Sequence, residues 1–142
     1  MRALLDVNAL IAMIDQGHIH YARLHEWWQT EALKGWASCA ITQNGFVRIV
    51  SQPRYARPCA TTTAVDLLRV ALDHKSHTFW PQDISIADKK IFDHSRLISH
   101  SQITDVYLLA LAVRNGGRLV TFDKGVPLAA VLGATKDHLV NV

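Results

Sequence analysis

Ala3-Leu4-Leu5-Asp6-Val7-Asn8-Ala9-Leu10-Ile11-Ala12 decides how this chain folds. Ala3 to Leu5 form a short apolar run that reads as a buried strand and ends at Asp6. Leu10, Ile11, Met13 and Ile14 follow at helical spacing, with Asn8 expected to cap that helix and Gly17 to end it. A strand that passes at once into a helix is a building unit of parallel α/β sheets. In such sheets ligands bind at the carboxyl ends of the strands. A charge placed directly after a buried strand has few structural uses, so Asp6 is a candidate site residue.

Working outward, the same alternation continues. A second helix is expected from about His20 to Lys34, carrying Leu24, Trp27, Trp28 and Leu33 and stopped by Gly35. Trp36-Ala37-Ser38-Cys39 reads as a second buried strand. Thr42 is expected to cap a third helix with Phe46, Val47, Ile49 and Val50 apolar. Gln52 to Pro58 holds two prolines and two arginines and reads as loop. Thr61 to Lys75 has strong helical spacing, and His77 to Trp80 is a short strand closed by Pro81. Asp83 to Leu97 is expected to hold a short helix with irregular flanks. Thr104 to Asn115 is the most apolar helix, ended by Gly116-Gly117. Arg118 to Phe122 is a strand, Gly125 to Gly133 a short helix and His138 to Val142 a last strand. The expected class is α/β, with a mostly parallel central sheet flanked by helices. No repeat, linker or low-complexity tract interrupts residues 1–142, which implies one domain.

Composition sets the outer bounds. A 142-residue chain that is 49% hydrophobic can bury a core, so disorder is not the default. The formal charge of +3 favours a polyanionic partner but fits an acidic protein equally well. Cys39 and Cys59 match no zinc signature and read as buried free thiols. Neither a signal-peptide pattern nor an apolar stretch of ~20 residues is present, so the expectation is a cytoplasmic protein that does not enter membranes.

Asp6 has two counterparts: Asp105 in Thr104-Asp105-Val106-Tyr107-Leu108, at a helix start, and Asp123 in Leu119-Val120-Thr121-Phe122-Asp123, after a strand. Each has a structural alternative. Asp105 at a helix N-terminus would favour the macrodipole, and Asp123 before Lys124-Gly125 suits a turn. Taken together they suggest acids meeting at one sheet edge. Converging carboxylates repel unless a cation or a shared proton compensates, and hard divalent ions take such oxygens. Metal-assisted phosphate chemistry follows as the expectation. An Asp-x-Asp phosphatase of the haloacid-dehalogenase type does not fit, because Asn8 stands where its second acid belongs. A response-regulator receiver does not fit either, because the acidic pair near the first strand is missing.

Leu4 to Ala12, Ile103 to Ala112 and Arg118 to Asp123, with Gly35-Trp36-Ala37-Ser38-Cys39 and Thr42-Gln43-Asn44-Gly45-Phe46-Val47-Arg48 between them, carry a resemblance over nearly the whole chain. The sequence resembles the PIN-domain ribonucleases, and within them the VapC-type toxins of toxin–antitoxin modules, in a subgroup best known from mycobacteria. That resemblance implies a PIN-like three-layer fold and hydrolysis of RNA with Mg²⁺ or Mn²⁺, leaving a 5′-phosphate and a 3′-hydroxyl. Asp6, Asp105 and Asp123 match three of the family's metal-site acids, and Asn8 a polar residue that supports the first. The second family acid, a Glu three residues after a Thr, falls here on Gly45, with Gln43 and Asn44 the nearest polar substitutes. The resemblance also implies a homodimer held inactive by a cognate VapB-like antitoxin. Two rival readings stay open: a PIN-like RNA-binding or regulatory module with reduced or no catalysis, and a PIN nuclease of RNA maturation outside any toxin module.

Other residues fill in the picture. Arg48 lies three residues after Gly45, so Gly45 is read as leaving room for RNA backbone while Arg48 reaches a phosphate, with a surface ion pair as the alternative. Arg54 and Arg57 flank Tyr55, a mixture that suits single-stranded RNA. His18, His20 and His25 lack the spacing of a helical zinc pair and read as surface or capping residues. His94 and His100 read as part of a solvated segment, with the substrate groove as the alternative. Trp36 and Trp80 read as core. Adjacent Trp27 and Trp28 point to different sides of one helix, so one of them is expected against a partner.

Overall fold

The computed structural model describes residues 1–142, the side chain of Ala32 excepted. Five strands form one sheet: β1 (Ala3–Leu5), β2 (Trp36–Ser38), β3 (His77–Phe79), β4 (Arg118–Thr121) and β5 (Leu139–Asn141). Their order is β3-β2-β1-β4-β5 and every pairing is parallel, so the sheet is wholly rather than mostly parallel. The chain builds outward from β1 to β3 on one side, then crosses to β4 and β5 on the other. β1 and β4 therefore flank the point where the strand order reverses.

Helices cover both faces. α1 (Val7–Ile14), α2 (Tyr21–Glu31), α3 (Ala40–Val50) and α4 (Thr61–Leu72) lie on one side, and α5 (Ile103–Arg114) on the other. Alternation along the central strand explains the split. Leu5 and Val120 join the core of the four-helix side, while Leu4 and Leu119 join the core around α5. Leu4 and Leu5 are both fully buried, as a strand covered on two faces requires. Trp36 and Trp80 are core residues, as expected.

Several local expectations change. Asp6, not Asn8, is the N-cap of α1: its Oδ1 accepts from the Ala9 amide at 2.6 Å, and the helix starts two residues earlier than an Asn8 cap implied. Thr42 lies in the third position of α3, not before it. From there its hydroxyl accepts from the Cys39 amide at 3.0 Å. Residues 83–97 contain no α-helix. Only a 3-10 turn at His94–Arg96 appears, and the stretch lies over the α5 core through Ile84, Ile86, Ile91 and Leu97. Four apolar anchors at irregular spacing suffice for a covering strap without helical periodicity. Residues 125–133 likewise hold only a 3-10 turn at Leu128–Ala130. Cys39 is buried, whereas Cys59 is only half-buried; both are free thiols.

Trp28 meets Trp36 edge-on at 6.1 Å, and Trp27 lies 5.4 Å from the Arg118 guanidinium, itself paired with Glu31. Both indoles thus have partners within the chain, and both remain half-buried. Glu31 is held at about 2 by Lys34 and Arg118.

Gly45 sits where α3 crosses α1. A Cβ at Gly45 would stand 2.6 Å from Cγ2 of Val7, so the close approach of the helices depends on its missing side chain. Gly45→Ala is expected to cost about 1–3 kcal/mol through overpacking, despite ~1 kcal/mol gained in helix propensity. Val7→Ala in the same chain should recover part of the loss. Urea unfolding of both proteins checks this; a Gly45→Ala chain as stable as wild type would refute the tight contact.

Candidate functional site

Topology brings three acids to one edge. The Asp6 amide donates to the Val120 carbonyl at 3.1 Å, so Asp6 continues β1 alongside Thr121 at the end of β4. Asp123 follows two residues later. α5 returns into β4 through the short turn at 115–117, so it runs antiparallel to that strand. Its first turn, with Asp105, must therefore lie over the strand's carboxyl end.

The three side chains differ in setting. Asp6 is 5% exposed, Asp105 half-buried and Asp123 exposed. Burial raises the Asp6 carboxyl above its ordinary range and the charge of Asp123 raises it further. The Thr121 hydroxyl and the Ala9 and Asn8 amides pull it back. Asp105 is pushed up to about 6, by burial first and then by the charges of Asp6 and Asp123. Among the described residues Asp105 accepts no side-chain hydrogen bond, so a capping role does not explain it. Asp123 does have a turn role: its Oδ1 accepts from the Gly125 amide at 2.7 Å. The Thr121 hydroxyl accepts from the Asp123 amide at 3.0 Å, and Asn141 donates to the Asp123 carbonyl at 2.6 Å. Thr121 and Asn141 went unnoticed in the sequence; the Thr-x-Asp spacing was the available signal for the first.

The all-oxygen donor set suits a hard divalent cation, and mutual repulsion supplies a reason to bind one. As oriented, however, no three His, Cys, Asp or Glu side chains among the described residues form a ligand cluster. Asp6 and Asp123 each turn one oxygen to a backbone amide. Asp6, Asp123 and Asp105, the last with no competing hydrogen bond, are the residues that would hold such a cation.

The supporting candidates separate. Asn8 is exposed in the first turn of α1, and Asn44 is exposed on α3. Gln43 is fixed at the carboxyl end of β2: its Nε2 donates to Ser38 Oγ at 2.9 Å, and that oxygen lies 2.8 Å from His77 Nε2. Gly45 is buried against Val7, which rules out the reading that it leaves space for RNA backbone. Arg48 and Arg54 are exposed, with no ion pair among the described residues. Arg57 is exposed and paired with Asp15: its Nη2 lies 2.8 Å from Asp15 Oδ2 and its Nε 3.2 Å from Oδ1. His94 and His100 are exposed, and His25 bonds the Met13 carbonyl at 3.0 Å.

The PIN domain family model matches residues 3–132. This chain belongs to the PIN-domain family. It is 54% identical over 142 residues, the whole of both chains, to Ribonuclease VapC44 of Mycobacterium tuberculosis (strain ATCC 25618 / H37Rv). The PIN fold is also seen in two solved structures. One is FitAB bound to an IR36 DNA fragment, with TM-score 0.60, 15% identity and coverage of 98% of this chain and 94% of that one. The other is VapBC2 from Rickettsia felis bound to a promoter DNA fragment, with TM-score 0.59, 14% identity and coverage of 87% and 89%. No helix of this PIN-domain chain is long and apolar enough to cross a membrane.

The raised carboxyls make stability depend on pH. A folded protein that holds these protons more tightly than the unfolded chain is most stable below the ordinary carboxylate range. It loses that advantage as pH rises from about 4 through about 6. His18 and His77 act oppositely, since burial lowers both and stability is gained as they deprotonate. The comparison that isolates the effect is wild type against Asp105→Asn in EDTA. Wild type is expected to lose more thermal stability over that interval; parallel Tm curves would show that Asp105 does not feel the other two acids.

Proposed function

We propose that this chain is a metal-dependent endoribonuclease, the toxin of a VapBC-type toxin–antitoxin module, acting in the cytoplasm as one PIN domain over residues 1–142. The observation that carries this reading is the gathering of Asp6, Asp105 and Asp123 at the strand-order reversal, where burial first and then neighbouring negative charge raise the carboxyls of Asp6 and Asp105. Whole-length similarity to a protein named a ribonuclease supports it. Asp6, Asp105 and Asp123 would hold one Mg²⁺ or Mn²⁺, with Asn8 beside the first acid and Gln43 at the neighbouring strand end. An ion held there would supply an activated water and polarisation of a phosphodiester oxygen. Asp105 or Asp123, whichever does not ligate directly, would orient the attacking water. The expected products carry a 5′-phosphate and a 3′-hydroxyl.

The partners follow from the same reading: RNA as substrate, a second copy of the chain, and a VapB-like antitoxin. Val70 and Leu67 on α4 are exposed beside an apolar groove lined by Met13, Ile14, Trp28 and Ala71, a surface that a protein partner would cover. One observation favours the rival reading of an RNA-binding module with reduced catalysis: α3 contributes no acid at all to the edge.

Asp6→Asn tests the proposal, because Asn caps a helix as well as Asp does while removing the buried charge. Cleavage of a labelled single-stranded RNA in Mn²⁺ should fall by at least about a hundredfold, with Tm equal to or above that of wild type. Full cleavage by Asp6→Asn would refute the assignment. RNA binding by wild type without Mn²⁺-dependent cleavage would establish the binding module instead.

A further inference from the structure

A second feature lies beside the carboxylates. Between the turn that follows α1 and the loop that follows α3 opens a cavity of about 500 Å³, lined by His18, Ile19, Ile49, Arg54, Tyr55 and Arg57 among others. Its size falls within the range of small-molecule sites, about 300–1,000 Å³. Its wall is fixed by a buttress at Asp15, which receives hydrogen bonds from Arg57, the Tyr55 hydroxyl and the Gly17 amide. Burial alone would raise Asp15, but these partners hold it at about 2. Gly17 permits the arrangement: a Cβ there would stand 2.1 Å from the Arg57 guanidinium carbon.

The cavity is connected to the acids by aromatic rings. Phe122 lies between Thr121 and Asp123 in the chain. Its ring is 4.3 Å from that of His20 and 6.4 Å from that of His18, nearly parallel to the latter at 21°. The Arg23 guanidinium carbon lies 6.0 Å from the Phe122 centroid. His18 thus belongs both to the ring row and to the cavity wall. Ile19 is 88% exposed at the rim, and Arg54 has no anionic partner among the described residues.

We propose that this cavity is a subsite for one unpaired nucleotide of the RNA strand. The base lies against His18 and the apolar rim, the phosphate meets Arg54, and the strand passes over Phe122 and His20 to the carboxylates. π-Faces and free guanidinium groups along one track are what single-stranded RNA needs. An acidic peptide would use Arg54 but gain little from the rings. The inference rests on the ribonuclease reading and specifies where its substrate is held.

The full chain, kept in EDTA to prevent cleavage, is titrated with a short single-stranded oligoribonucleotide and with the same oligomer carrying abasic positions. The His18 and His20 ring resonances should shift with the first and much less with the second. His18→Ala and Arg54→Ala should each weaken binding about tenfold. His18→Phe, which keeps the ring face, should restore it. Mn²⁺ affinity should stay unchanged in all three, since none touches the acids. If both alanine variants bind and cut RNA like wild type, the subsite is refuted and the ribonuclease reading stands. Equal ring shifts with the abasic oligomer, or failure of His18→Phe to rescue a folded protein, refute base stacking. If wild type neither binds nor cuts RNA with Mn²⁺, both readings fall.

Discussion

Asp6 carries two opposed demands, and the site is organised around their conflict. As the N-cap of α1, its carboxylate satisfies the Ala9 amide, a role worth about 1 kcal/mol and favoured by the helix dipole when the group is charged. As a residue that is 5% exposed near Asp123, it is disfavoured when charged. The backbone cannot retreat, because the Asp6 amide is tied to Val120 by the β1–β4 ladder. Charge is therefore relieved by a proton or by a cation. Asp105 brings a third acid into the same field; burial first, then the charges of Asp6 and Asp123, raise it, and no hydrogen bond holds it in the ionised form.

The remaining elements keep that conflict from dissipating. α5 must run back over β4 to feed it, so its first turn cannot leave the edge. α1 begins directly at Asp6, and the first residue of that helix, Val7, is the one pressed against Gly45. Gly45 looked like the place of a missing metal ligand. It is also the point where α3 secures the helix that Asp6 caps, so packing explains its glycine. The polar residue of α3 that reaches the edge is Gln43, two positions earlier, turned to Ser38. A neutral amide there leaves the charge of the three acids uncompensated and adds none of its own.

Much of this was legible in the sequence because strand and helix signals agree in short parallel units. Trp36-Ala37-Ser38 and Arg118 to Thr121 are near-continuous apolar runs bounded by glycine or polar turns, and both became central strands. The acids were legible for the same reason: each stands at the end of a clear element. What failed depended on contacts between distant segments. Asn8 and Thr42 are both good caps by type, but the cap falls where the strand releases the chain, one residue after Leu5 and one after Ser38. Residues 83–97 have enough apolar positions for a helix but serve as a strap over α5, which needs anchors and not a period. The pairing of Arg57 with Asp15, 42 residues away, has no local signature.

The fate of the arginines shows why net charge was a weak guide. Arg2 reaches the Ser76 and Trp36 carbonyls, Arg118 neutralises Glu31 under Trp27, and Arg57 braces Asp15. Each is spent inside the fold. Arg2 and Arg118 lie at the amino ends of β1 and β4, away from the acids. Arg23 and Arg54 are exposed and unspent, one by Phe122 and the other on the cavity wall. A modest +3 overall therefore conceals different fates: Arg2 and Arg118 are bound at the amino ends of their strands, Arg57 braces the cavity wall, and Arg23 and Arg54 stay available on the way to the carboxylates. For a polyanion that must be cut by acids, this separation matters more than the sum. On the proposed reading, cations beside the site would draw the strand in, and a metal held by the acids at its end would let the phosphate approach.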